Sequence, residues 1–193
     1  RFDLVTGASL EPAFGVQPTA LVGLEAFKDQ GGNSAMGLDS AALAINEGLT
    51  VGWTLDVDND GQVTALGDGL MVIRQLFGGA FQGEALIDKA ISPESPYIVS
   101  GKESAAHAVS DHIQFGIDFG LLDVDRDGQT TALGDGLMVI RHLFGGAFQG
   151  EALISKAISE SSPMMGDWVY NDLSLDQKLD IAQKIGEAIN NLV

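Results

Sequence analysis

Eight of the chain's aspartates fall into two matching sets. Asp56, Asp58 and Asp60 alternate along the chain and Asp68 follows after a gap; Asp123, Asp125, Asp127 and Asp135 repeat the arrangement 67 residues later. Alternate carboxylates on a tightly curled loop can aim at one point, where they repel each other strongly unless a cation neutralises them. A hard cation such as Ca²⁺ takes six to eight oxygen ligands at about 2.3–2.6 Å. The chemistry this pattern offers is therefore cation binding through oxygen. Gly61 and Gly128, each directly after the third aspartate, permit the sharp turn that such a curl needs.

The string D-x-D-x-D-G is the opening of an EF-hand loop. On that pattern the backbone carbonyl of Gln62 or Gln129 is an expected ligand. Thr64 or Thr131 stands where a side chain or a bridging water coordinates, and a carboxylate at the start of the next helix closes the shell. The closing residue comes one step late, because Gly67 and Gly134 hold the twelfth position and Asp68 and Asp135 follow. Both loops are thus one residue longer than the standard form. Two Ca²⁺ ions are expected, one held by Asp56, Asp58, Asp60, Gln62, Thr64 and Asp68, the other by Asp123, Asp125, Asp127, Gln129, Thr131 and Asp135. The substitutions between the loops, Asn59 to Arg126 and Val63 to Thr130, avoid every expected ligand. The second replaces one β-branched residue by another at the position where paired loops usually join by a short β-bridge, which predicts face-to-face pairing of the loops.

An internal repeat must position these residues. Leu55–Ser92 and Leu122–Ser159 differ only at Asn59/Arg126, Val63/Thr130, Gln75/His142 and Asp88/Ser155. Weaker similarity upstream, "SAALAI" from Ser40 against "SAAHAV" from Ser104, extends each unit to about 60 residues. The expected fold is mainly α: two duplicated loop–helix units packed together, with a less regular N-terminal segment and a C-terminal helix. Its expected divisions are an irregular segment over 1–39, in which "RFDLV" alternates as a strand would, repeats over 40–98 and 99–166, and an amphipathic helix over 167–193. In the helix after the first loop, Leu66, Leu70, Ile73 and Phe77 share one predicted apolar face and Arg74 points to water. Gly78 and Gly79 end that helix and let Phe81 fold back, and a "GGAFQG" turn leads to the short helix "EALI". At the C-terminus, Ser174 and Gln177 form a capping-box pattern, and Leu175, Leu179, Ala182, Ile185, Ile189 and Leu192 trace one face.

Twenty-seven acidic against ten basic residues give a formal charge of −17, which repels nucleic acid and anionic membranes and attracts cations. Without cysteine, the chain has no disulfides, thiolate metal sites or thiol nucleophile. No apolar run approaches the roughly 18 residues of a membrane span, so no membrane insertion is expected. The first residue is Arg1, which suggests a processed or excised segment. His107 and His112 are not spaced to share a helical face, His142 replaces Gln75 between copies, and "SGKES" and "GGNSAMG" miss the P-loop and nucleophile-elbow spacings. No enzyme is expected.

The whole string D-x-D-x-D-G-x-x-x-A-L-x-D-G-L-x-x-x-R-x-L-F-G, with "GxALI" downstream, resembles the dockerin-type EF-hand repeats of large secreted bacterial proteins, over about half of the chain. The resemblance implies two bound Ca²⁺ and a protein partner, either a cohesin-like receptor or further copies of the chain, outside the cell or on its surface. The leading functional expectation is a calcium-stabilised structural or interaction module. The alternatives are a self-assembling subunit of an extracellular fibre or adhesin, and a calcium sensor or buffer.

Overall fold

The computed structural model describes Asp3–Leu4, Phe27–Lys28 and residues 52–193. The chain divides into two units, Arg1–Gly52 and Trp53–Val193. In the first, strand β1 (Asp3–Leu4) pairs antiparallel with β2 (Phe27–Lys28), Asp3 opposite Lys28 and Leu4 opposite Phe27. "SAALAI" lies outside the described residues.

The second unit is mainly helical, and its elements recur at the repeat offset. Leu55 and Val57 alternate with Asp56 and Asp58 and are fully buried, anchoring the acidic loop on the core. The loop ends in a π-turn, Ala65–Gly69, from which α1 (Leu70–Phe77) continues. Gly78 and Gly79, at φ 58° and 55°, break the helix. A 3₁₀ turn, Gly79–Phe81, and α2 (Glu84–Ile87) follow, then a 3₁₀ turn at Pro96–Ser100 and the long α3 (Lys102–Asp118). The second copy gives a π-turn at Ala132–Gly136, α4 (Leu137–Phe144), α5 (Glu151–Ile154) and, after a longer connection, α6 (Leu175–Asn190). The capping box at Ser174 and Gln177 is present.

The repeats meet by mutual exchange. Each π-turn packs on the helix of the other repeat, and a glycine in each turn allows the approach. A methyl group at Gly69 would lie 3.3 Å from Ile140 Cγ1, and one at Gly136 would lie 3.3 Å from Ile73 Cγ1. The core between them holds Met71, Val72, Met138 and Val139, all fully buried. Helix α3 covers α1 and α2 as α6 covers α4 and α5. This explains one difference between the copies: Gln75 accepts a hydrogen bond from the Ser110 hydroxyl of α3 at 3.3 Å, whereas His142 bonds Asn190 Oδ1 of α6 at 2.9 Å. The first loop is also pinned from outside. Trp53 stacks on His112, donates its indole N–H to the His112 carbonyl at 2.8 Å and lies against Gly116.

Four packing expectations need correction. Leu66 and Phe77 do not join the buried face; they are 64% and 51% exposed, and Met71 and Val72 are buried instead. The π-turn holds an extra residue, which rotates everything before it out of phase with the regular helix, and Phe77 turns outward to meet Phe81 at 6.5 Å. Arg74 does not simply face water. Its Nη1 donates to the carbonyls of Leu86 at 3.1 Å and Asp88 at 2.8 Å, clamping the end of α2. At the C-terminal helix, Leu175 and Leu179 are exposed, and the buried face is formed by Ile181, Ala182, Ile185 and Ile189. Finally, among the described residues no backbone hydrogen bond joins Val63 to Thr130, since the exchanged π-turns take the place at the repeat interface that was expected of the loops.

Candidate metal centres

Local bonding curls each acidic loop. Asp56 accepts from the backbone N–H of Asp60 at 3.0 Å and of Gly61 at 2.9 Å, and Asp60 accepts from Gln62 N–H at 2.8 Å. Asn59 and Arg126 take positive φ, 57° and 61°, at the top of the curl. The Thr64 hydroxyl accepts from Gly67 N–H at 3.0 Å and so caps the π-turn. The turn is closed by an i to i+5 bond from Gly69 N–H to the Thr64 carbonyl at 3.1 Å.

This wide turn accommodates the extra loop residue. It carries Asp68 back over the loop, where Oδ1 accepts from Val57 N–H at 2.9 Å and Oδ2 from Thr64 N–H at 2.8 Å. Asp56, Asp58 and Asp68 consequently each offer a carboxylate oxygen within 4.8 Å of the others, and Asp123, Asp125 and Asp135 do the same. Oxygens bound to one cation at about 2.3–2.6 Å can be no more than about 5 Å apart, so each triad can hold a metal ion. Asp60 and Asp127 stay outside the triads, engaged with the N–H groups of Gln62 and Gln129. Gln62, Gln129, Thr64 and Thr131 are exposed at the rim.

Asp58, Asp68, Asp125 and Asp135 are each 2% exposed, and burial disfavours their ionised forms. The Asp68 and Asp135 carboxyls are pushed up to about 6, mainly by burial and partly by the neighbouring Asp58 or Asp125 charge, against the pull of backbone N–H donors. Asp58 and Asp125 are raised for the same first reason, with the other loop aspartates adding repulsion. A cation set among these groups would reverse the balance.

A distant clasp holds each loop. Ser92 N–H donates to Asp58 Oδ2 at 2.7 Å, and the buried Ser95 hydroxyl donates to the Asp58 carbonyl at 2.5 Å. Ser159 and Ser162 make the same pair of contacts with Asp125. Reading of the sequence missed these serines. Their signal was present: Ser92, Ser95 and Pro96 recur as Ser159, Ser162 and Pro163 at the repeat offset, carrying the repeat past the stretch of near identity.

No protein-family model matches the chain, and neither the curated proteins nor the solved structures searched gave a significant match. The assignment therefore rests on the geometry of the chain's own residues. Among the described residues no helix is long and apolar enough to cross a membrane.

Proposed function

We propose that the chain is a calcium-binding structural and interaction module of a secreted or cell-surface protein, similar to dockerin-type EF-hand repeats, whose fold two Ca²⁺ ions stabilise. The observation that carries this reading is the π-turn, which sets Asp68 beside Asp56 and Asp58 and Asp135 beside Asp123 and Asp125. Three carboxylates at each centre, two of them buried, favour a hard divalent cation, with the Gln62 and Gln129 carbonyls and solvent completing the shell. Ligand chemistry alone separates Ca²⁺ from Mg²⁺ weakly; the curled, all-oxygen loop favours the larger ion.

Met71 and Met138 are fully buried. They pack the core between the repeats together with Val72 and Val139, which supports a structural role for the helices that follow the loops. An interaction role draws support from the exposed apolar side chains Leu66, Phe77 and Phe81 and their counterparts Leu133, Phe144 and Phe148. Titration calorimetry of the metal-stripped chain with CaCl₂ tests the proposal. The expected stoichiometry is two, falling to one in Asp56→Asn and in Asp123→Asn; absence of any saturable binding at millimolar calcium would refute it.

A further inference from the structure

The two acidic loops agree at every expected ligand and differ in charge at one place. Asn59, at the crest of the first loop, becomes Arg126 in the second. Both residues are exposed, and both hold the left-handed backbone of the curl, at φ 57° and 61°. Asparagine takes that conformation more readily than most side chains, so arginine gains nothing from the backbone there. What it adds is a permanent positive charge.

The loop keeps that charge close to the second triad. The backbone N–H of Asp127, the group directly after Arg126, donates to Asp123 Oδ1 at 3.1 Å and to Asp125 Oδ1 at 3.2 Å. The Arg126 backbone therefore lies beside the triad oxygens, and its guanidinium stays within about 12 Å of them in any staggered rotamer. Among the described residues Arg126 enters no ion pair that would neutralise it. The other arginines and lysines of the near-identical stretch, Arg74 and Lys89, recur as Arg141 and Lys156. The further exchange of Asp88 for Ser155 acts in the same direction as Arg126: Leu55–Ser92 holds six acidic and two basic residues, Leu122–Ser159 five and three. Asp118, in the place of Val51, acts the other way. It lies outside the loop and accepts a hydrogen bond from Gln114 at 2.8 Å.

We propose that the crest residue sets the affinity of each centre, Arg126 weakening the hold of the second on a divalent cation where Asn59 leaves the first unopposed. The inference rests on the calcium reading above and adds to it a difference between the two centres. A unit charge about 6–12 Å from a divalent ion in water changes its affinity by about threefold to tenfold at low ionic strength. At about 0.5 M salt the Debye length is only about 4 Å, and an exposed guanidinium then has little effect. The second centre is thereby the one whose occupancy, relative to the first, responds to ionic strength.

Calorimetric titration with CaCl₂ at about 10 mM ionic strength tests this in full-length chains that keep one centre each: Asp123→Asn reads the first and Asp56→Asn the second. In the Asp56→Asn chain, Arg126→Gln and Arg126→Asn should each tighten binding about threefold to tenfold, and Arg126→Lys should leave it unchanged. Glutamine keeps a long side chain at the left-handed position, so a gain in both variants assigns the effect to charge and not to backbone. In the Asp123→Asn chain, Asn59→Arg should weaken binding by a similar factor. All these differences should shrink to less than twofold in about 0.5 M NaCl. Calcium binding in both single-centre chains that Arg126→Gln leaves unchanged would overturn this inference and leave the calcium reading standing. A gain of equal size in high salt, or one shared by Arg126→Lys, would also overturn it. Absence of binding in both chains and in the parent would refute the calcium reading and this inference with it.

Discussion

Replacing Asp68 by asparagine separates what the carboxylate does for the bare fold from what it does for an ion. At pH 7 the buried carboxyl, with its pKa pushed up to about 6, is largely ionised at a cost. The rise from 3.8 corresponds to about 3 kcal/mol at 1.36 kcal/mol per pH unit, reduced to about 1–2 kcal/mol by the high effective dielectric that charges meet even at buried protein sites. The neutral amide removes that cost. It also turns one acceptor oxygen into a donor, so either Val57 N–H or Thr64 N–H loses its partner, which costs about 1–3 kcal/mol. The two effects nearly cancel, and the metal-stripped variant should melt within a few degrees of the parent.

Calcium breaks the cancellation. An ion binding only the folded form adds about 2.7 kcal/mol per site at a hundredfold excess over Kd, and 1 kcal/mol moves Tm by about 2–4 °C in a domain of this size. Differential scanning calorimetry of the parent should show a rise of about 10–20 °C on adding calcium. Asp68→Asn should lose about half of that rise, and the double variant Asp68→Asn/Asp135→Asn nearly all of it. If the double variant gains as much from calcium as the parent does, the triads are not the sites and the reasoning fails.

Other outcomes follow from the same geometry. In the metal-stripped chain Asp68 and Asp135 have folded-state pKa values raised above the unfolded value, so their contribution is fully present below about pH 4 and is lost as pH rises through about 6; urea midpoints should fall across that window, and excess calcium should abolish or reverse the fall. Gly116→Ala places a methyl group within the Trp53 ring and should destabilise the chain by about 1–3 kcal/mol, with a red shift of Trp53 emission; an unshifted spectrum and melt would show that Trp53 does not depend on this contact. Ser95→Ala and Ser162→Ala each leave a buried Asp58 or Asp125 carbonyl without its donor and should cost about 1–3 kcal/mol, with weaker calcium binding at the affected loop only; threonine at either position should restore part of both.

The acidic loops were legible because their information is local: alternation of aspartates, a glycine at the turn and a near-exact second copy all lie within short stretches. The place of Asp68 was legible as an anomaly and not as a solution. A carboxylate one step late reads as a longer loop, and only an i to i+5 turn from Thr64 to Gly69 returns it to the other two. The same turn misled the apolar pattern, since carrying a 3.6-residue period backward through it puts Leu66 on a face it does not occupy. The Ser95 clasp and the equivalence of α3 with α6 depend on contacts between distant segments. The two covering helices share little sequence and match only in what they cover.

The near identity of the two repeats has a physical counterpart in how they pack. Asp68 closes the first triad and Gly69, the next residue, lies against Ile140 of the other repeat, while Asp135 and Gly136 stand in the same relation to Ile73. A single turn therefore shapes the candidate metal centre on one side and the repeat interface on the other. Because the contact is self-complementary, a substitution in the turn or in the isoleucine that faces it alters one half of a matched pair and leaves the other half fitted to the old shape. The four differences between the copies fall at positions 59, 63, 75 and 88 and their equivalents. None of them lies in the π-turn or at the isoleucine against which it packs.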